Sequence, residues 1–525
     1  MALNLPRFAE ENIIASSDMT NILKDGYDTL CFVGPSLNHF KKHYSQYCRY
    51  FEPYESKNAN FYNYGNTTLV VNESSVPNKL LFAPTGPLTE VYDDVRAFRD
   101  ATIKAMECAY SSGSENVAVA SMYYSDDKFC AAPFVTAAAA YDANYLPPDV
   151  RSTNRQTRFK KLSIVCNYDE DAELVKQAAT IDFGKTVMKD IGGGEPEQAT
   201  SINIQHYVEN IFANSPIQIS VFNSNQLEKE FPLLSAVDRG CQGVDRHRGC
   251  MIELEYMPKG NITETIFLVG KGITYDTGGV DLKVHGMRFM SFDKCGAAAV
   301  AGFMKIVAEV QPSNLRVIGM MAMARNDIGP AAYVCDEIIT ARSGVKVCIG
   351  NTDAEGRMAM ADVLCYAKEK AISSVNPSLF TIATLTGHVG NVYGPGYAAA
   401  IENGPAIKAS IGLSLHFNGS KLADPVEISY LRKEDYEFVK YKGDRANVMQ
   451  CNDLPSSRTP RGHIFPAAFL IYVSGLDKHG NDLSSKPLPY CHLDIASAIE
   501  SKHKSFMDHP QAAVLTSLAK HYNLI

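Results

Sequence analysis

The segment Asn351-Thr352-Asp353-Ala354-Glu355-Gly356-Arg357-Met358 sets two carboxylates two residues apart, followed by a glycine and an arginine. In an extended or tightly turned segment, residues i and i+2 project into one small space, and Gly356 permits a backbone turn that other residues resist. Asp353 and Glu355 are therefore placed to grip one cation. The same residues also fit a polar loop that caps a helix, because acidic side chains stabilise a helix start. A second cluster stands upstream: Gly270-Lys271-Gly272-Ile273-Thr274-Tyr275-Asp276-Thr277-Gly278-Gly279-Val280-Asp281-Leu282-Lys283, followed by Ser291-Phe292-Asp293-Lys294-Cys295-Gly296. Asp276, Asp293, Asp353 and Glu355 with Lys271 and Lys283 make a hard-ligand set without cysteine or histidine, which suits one or two divalent metals. So many like charges repel one another unless a cation lies among them. Taken singly, each residue has a plainer reading: Lys271 and Lys283 as surface lysines, Asp293 as a helix cap, Arg357 in a structural salt link to Asp353 or Asp362.

These groups need rigid elements behind them. Residues 265–269 read as a buried strand ending at Gly270, 296–310 as an alanine-rich helix, 315–323 as a strand, 357–371 as a helix and 379–385 as another buried strand. Strands separated by helices of this length call for a mostly parallel sheet covered on both faces, and such sheets place their sites at strand ends. Residues 1–168 read as a first α/β domain, with strand-like runs at 29–33, 68–71, 79–83, 117–120 and 162–166 and helix-like pieces at 91–110 and 134–144. Within it, the tyrosine- and asparagine-rich stretch 42–66 reads as an exposed insertion. Residues 169–188 have acids early and lysines late around apolar residues at helical spacing, which describes a linker helix, and Gly192-Gly193-Gly194 reads as a hinge. The expected architecture is α/β in two domains, each a mixed or mostly parallel sheet flanked by helices. Residues 1–168 form the first, 169–194 the linker helix and hinge, and 195–525 the C-terminal catalytic domain.

Segments 269–283, 293–298 and 351–358 closely resemble the M17 leucine aminopeptidase (cytosol aminopeptidase) family. The heptapeptide NTDAEGR stands intact, Met358 follows where the family usually has leucine, and Ala383-Thr384-Leu385-Thr386-Gly387 is a further match. The resemblance implies a two-metal aminopeptidase, usually holding zinc, with manganese or magnesium able to replace one ion. Asp276 and Glu355 would bridge the metals, Asp353 would complete one site, and Asp293 with the amine of Lys271 the other. Lys283 would stabilise the tetrahedral oxyanion, and Arg357 would hold a bicarbonate ion that passes on the proton of water. Met290, Thr384 and Gly387 would line the pocket for the first substrate residue, with Leu385 giving backbone contacts and leucine or other apolar residues favoured. A homohexamer acting on peptides and dipeptides with a free N-terminus is implied as well. The same site would also support a Cys-Gly dipeptidase role, and a relative retained as a structural or regulatory oligomer is the non-catalytic alternative. His285 and His388 stand beside the motifs without a part in the template, so departures there bear on pocket shape.

Composition limits the field. With 525 residues, two domains are the prior, and 46% apolar with 21% charged residues describes a globular protein. A net charge of −8 argues against a nucleic-acid surface. No stretch approaches the roughly 20 apolar residues needed to cross a bilayer, and acids in residues 1–18 speak against an export signal. Thirteen scattered cysteines without a C-x-x-C pair fit reduced thiols in the cytoplasm. There is no G-x-S-x-G elbow and no H-E-x-x-H. Ser291-Phe292-Asp293-Lys294 matches S-x-x-K only by displacing Asp293 from the ligand set, and Gly34-Pro35-Ser36 lacks phosphate-loop spacing.

Overall fold

The structure, a computed structural model, describes residues 13–15, 26–72, 77–120, 124, 126–151, 155–480, 486–500 and 506–525. Most of residues 1–18, on which the export-signal expectation rests, lie outside the described residues. The chain divides into two compact units, one of residues 4–183 with 418–424 and the other of 184–417 with 425–524. Both are α/β.

The first unit is built on a six-stranded sheet ordered β1-β6-β5-β2-β4-β3, from β1 (Ile13–Ala15), β2 (Thr29–Gly34), β3 (Thr68–Val71), β4 (Lys79–Pro84), β5 (Asn116–Ala120) and β6 (Lys161–Cys166). All neighbours run parallel except β3, which pairs antiparallel with β4. Helices α1 (Asn38–Cys48), α2 (Arg96–Ser111) and α3 (Ala132–Asn144) connect the strands. The 42–66 stretch is exposed over most of its length, as expected, but it is anchored by buried rings. Tyr44, Tyr47, Phe51 and Phe61 are buried; Tyr44 and Phe51 pack edge-on and Tyr47 tilted against Phe32, and Phe61 stacks on Phe82. A run of aromatics among polar residues is ambiguous in sequence, and here the apolar gain of burying rings decides it. Helix α2 starts at Arg96 and not at Val91. Leu88 has a positive φ of 54°, and the carboxylates of Asp93 and Asp94 take the backbone N–H groups of Glu90 and Arg96, which stabilises a turn before the helix.

Helix α4 (Asp169–Gly192) spans the division between the units. The glycines that follow are tightly packed: a Cβ at Gly192 would lie 2.7 Å from the Cys295 sulfur, and one at Gly194 2.6 Å from the Ala199 Cβ.

The second unit centres on an eight-stranded sheet ordered β15-β14-β17-β13-β9-β10-β8-β7. Its strands are β7 (Ile217–Phe222), β8 (Cys250–Tyr256), β9 (Glu264–Asp276), β10 (Leu315–Asn326), β13 (Pro377–Ala383), β14 (Ala398–Glu402), β15 (Val426–Tyr430) and β17 (Tyr490–Asp494). A small sheet of β11 (Ile338–Thr340), β12 (Lys346–Cys348) and β16 (Val448–Met449) leads into the acidic heptapeptide. The central strands β10, β9, β13 and β17 are mutually parallel. Helix α5 (Cys295–Val310) covers one face of β9 and α6 (Glu355–Ile372) the other, with α8 (Phe465–Ser474) packed on α6; α7 (Gly387–Tyr393) follows β13.

Strand β9 does not end at Gly270 but continues to Asp276. Its glycines serve packing: a Cβ on Gly270 would sit 2.5 Å from the Ala297 Cα, and one on Gly272 3.0 Å from the Ala297 Cβ. With period-two alternation, Gly270 and Gly272 let α5 press onto one face, while Phe267, Val269, Lys271 and Ile273 turn to the face of α6. The sheet thus delivers Lys271 toward the first turn of α6.

Candidate metal centre

Three elements converge at the C-terminal ends of β9 and β10. Strand β9 brings Lys271 and Asp276, the turn before α5 brings Asp293, and the 3-10 turn Thr352–Ala354 running into α6 brings Asp353 and Glu355. One oxygen from each of Asp276, Asp293 and Glu355 lies within 4.8 Å of the others, all three residues being buried. Lys271 sits among them at 2.7 Å from Asp293 and 2.8 Å from Glu355, and donates to the Thr384 carbonyl at 3.1 Å. Gly356 makes room for it, since a Cβ there would meet the end of the Lys271 side chain at 2.7 Å. Lys283 bonds Asp276 at 2.8 Å and also Asp353. The six residues singled out from spacing are thereby in one cluster, and neither Lys271 nor Lys283 is a surface lysine.

The cluster crowds negative charge into a buried space. Burial, and then the neighbouring Asp276, push the Asp353 carboxyl up to about 7. The same two causes raise Glu355, and burial raises Asp293 well above the carboxylate range despite Lys271 beside it. Burial works to lower the pKa of Lys271, yet Asp293 and Glu355 outweigh it and hold the ammonium. Carboxylates that resist ionisation beside one another form a donor set that one or two divalent cations would suit.

The loop that carries Asp353 is clamped from behind. Asp281 accepts the Thr352 N–H at 2.7 Å, Tyr333 donates to the Thr352 carbonyl at 2.9 Å, and Asn326 donates to the same carbonyl at 3.0 Å. Gln450 accepts from the N–H groups of Gly350 and Asn351 and donates to the Ala354 carbonyl. Sequence reasoning missed these groups. Asn326 ends a buried strand, where the strand-end rule that flagged Asp276 applies equally; Gln450 carries no local signal.

Arg357 is 3% exposed, donates Nη1 to the Gln450 carbonyl at 3.0 Å and lies over the Phe465 ring at 4.9 Å. Among the described residues it makes no ion pair with Asp353 or Asp362. Its Nε is buried without a hydrogen-bond partner. A buried unpaired guanidinium donor fits a planar oxyanion.

The β13 exit contributes Thr384, Leu385 and Gly387. The Thr384 hydroxyl donates to Asp293 at 2.8 Å, and the Leu385 N–H and Thr386 hydroxyl donate to buried Asp494 at 3.2 and 2.6 Å. Gly387 donates its N–H to Ser456 at 3.2 Å. Met290 begins the short turn Met290–Phe292 that precedes Asp293. His285 is exposed. His388 instead pairs with His463, with Nδ1 atoms 2.8 Å apart and rings stacked, and the far nitrogen of His463 meets the Ser429 hydroxyl at 2.7 Å. Burial, then His388, lowers His463 to about 4. A histidine depressed in the fold contributes stability that is complete above its unfolded value near 6.5 and is lost as pH falls toward about 4. Thermal unfolding of His463→Phe between pH 7 and 4 is expected to show a shallower acid loss than the wild type.

Residues 186–518 match the family model described as the cytosol aminopeptidase family, catalytic domain. A Caenorhabditis elegans protein provisionally named aminopeptidase W07G4.4 is 40% identical over 438 residues, 82% of this chain and 83% of that protein. An Aquifex aeolicus protein provisionally named a cytosol aminopeptidase is 32% identical over 291 residues, 55% of this chain and 53% of its own length. Among solved structures, the bottromycin maturation enzyme BotP in complex with Mn superposes with a TM-score of 0.75 at 18% identity, covering 94% of this chain and 99% of that one. That likeness concerns the fold.

Proposed function

This chain belongs to the cytosol aminopeptidase family, and from that premise we propose that it removes the N-terminal residue, leucine or another apolar residue preferred, from peptides and dipeptides in a metal-dependent reaction. The observation that carries the reading is the convergence of buried Asp276, Asp293 and Glu355 around Lys271. This hard donor set fits two divalent ions, zinc first, with manganese or magnesium able to occupy one position. Asp276, Asp293, Asp353 and Glu355 would hold the ions together with the Lys271 amine. Bound metals supply Lewis acidity and a water acidic enough to yield hydroxide near neutrality.

The chain's own groups do the rest. Lys271 would enter as a neutral amine: burial already disfavours its charge, and the carboxylates that now hold its proton would be engaged by the ions. Lys283, now hydrogen-bonded to Asp276 and Asp353, keeps its charge and turns to the oxyanion that develops as the peptide carbonyl is attacked. Arg357, with its unpaired Nε, would hold a bicarbonate ion, which would supply an acceptor for the water proton. Met290, Thr384, Leu385 and Gly387 wall the first substrate residue, with Asp494 and Ser456 fixing that wall. Assembly is as a homohexamer in the cytoplasm. The names of the relatives support that location, and no helix among the described residues is long and apolar enough to cross a membrane.

Calorimetric titration of chelator-stripped protein with Mn2+ or Zn2+, run in buffers of different ionisation enthalpy, tests the site. Because Lys271 and the raised carboxylates must give up protons, binding is expected to release protons and to tighten as pH rises from 6 to 8. Absence of binding, or binding without proton release, contradicts the ligand set.

A further inference from the structure

We infer that Asn326 is a positioning residue for this centre: its side-chain amide fixes Asp276, and with it Glu355, in the orientation that receives a divalent cation. The inference rests on the metal-centre reading above. Asn326 is the last residue of β10, 1% exposed, and stands opposite Asp276 of β9 just beyond a register shift after Ala324. Its Nδ2 lies 2.7 Å from Asp276 Oδ1, 3.0 Å from the Thr352 carbonyl and 3.5 Å from Glu355 Oε2. All three neighbours accept hydrogen bonds, so the nitrogen end of the amide must face them.

Two features separate this contact from ordinary packing. First, the amide oxygen is buried and unpaired. Gly279, with φ +66°, makes room beside it, since a Cβ there would stand 2.8 Å from that oxygen. Leaving a buried acceptor unpaired costs stability, so the placement serves the carboxylates at the expense of the fold. Second, the amide is neutral. Lys271 and Lys283 also bond the carboxylates, but their positive charges compete with an incoming cation. Asn326 orients Asp276 without neutralising it and stays in place when the cation enters. With the Gly278 N–H at 2.9 Å and Asn326 at 2.7 Å both on Oδ1, Asp276 is locked through one oxygen. Its other oxygen, Oδ2, faces Lys283 at 2.8 Å and is the atom exchanged for a metal. Hydrogen bonds of this kind behind a metal ligand typically alter affinity by about 10–100-fold.

The test compares wild type, Asn326→Ala and Asn326→Leu, stripped of metal and checked for folding by circular dichroism and thermal midpoint. Affinities for Co2+ and Mn2+ are measured by competition with a chelator, and the visible d–d spectrum of the Co2+ form is recorded. Both variants are expected to bind about 10–100-fold more weakly, with a changed Co2+ spectrum. Leucine preserves volume without a donor, so leucine near wild type with only alanine impaired shows packing alone and overturns the assignment. Unchanged affinity and spectrum in both overturn it as well. If the leucine variant does not fold, an Asn326→Ala protein that keeps the wild-type affinity and Co2+ spectrum overturns the assignment. A wild type that binds no divalent metal overturns the centre itself, a result distinct from either.

Discussion

Glu355→Gln is expected to lower aminoacyl-amide hydrolysis by at least about a thousandfold, about 4 kcal/mol of transition-state stabilisation, while leaving the fold intact. Glu355 is 1% exposed, touches Lys271 at 2.8 Å and is the carboxylate proposed to serve both metal positions. Glutamine keeps its volume but removes the charge a shared ligand must provide. The metal-free variant should also be more stable than the metal-free wild type at neutral pH. Burial and Asp276 raise the pKa of Glu355 in the fold, so the native state holds a proton that the unfolded chain releases at lower pH. The contribution is therefore present at acid pH, below the unfolded carboxylate value near 4, and is lost as pH rises through the raised folded value. Glutamine carries no such liability. Denaturant unfolding of both proteins in chelator at pH 4 and pH 8 checks this, with the variant's advantage expected to appear at the higher pH. An active site that destabilises its own fold in this way is the usual trade of stability for function.

Lys283→Met is expected to act differently. The side chain reaches Asp276 and Asp353 from the rim of the cluster, where it is less deeply buried than Lys271. As the proposed oxyanion partner it matters more in the transition state than in the ground state, so kcat should fall about 10²–10³-fold with KM little changed. Metal content, measured by elemental analysis, should remain at the wild-type level, because two competing positive charges are reduced to one. A loss of metal together with activity would instead make Lys283 part of the binding site.

How far the sequence reached is clearest at particular residues. Two carboxylates at i and i+2 after an apolar run, with a lysine and an aspartate at the end of a buried strand, identified the cluster because the chemistry demands those types in that order. The parallel sheet followed from the alternation of apolar runs with helices, and β9, β10 and β13 stand in it side by side. What the sequence hid depended on long-range contact. Gly270 and Gly272 look like the start of a loop, and only the closeness of α5 shows that they let it pack onto β9. Tyr44, Tyr47 and Phe61 look like an exposed surface until Phe32 and Phe82 are seen to need them. The clamp by Gln450 joins segments about a hundred residues apart, and the pairing of His388 with His463 spans 75 positions. No local pattern encodes such pairings.

The central claim is tested most directly by one assay: release of a fluorophore from leucyl-amide by the purified protein, after chelation and after adding back Zn2+, Mn2+ or Mg2+, beside the same substrate with its amine acetylated. The account predicts activity that disappears on chelation, returns with a divalent ion and is absent on the blocked amine. Hydrolysis that persists without metal, accepts the acetylated substrate, or never appears in the metal-loaded protein on any unblocked aminoacyl-amide contradicts it.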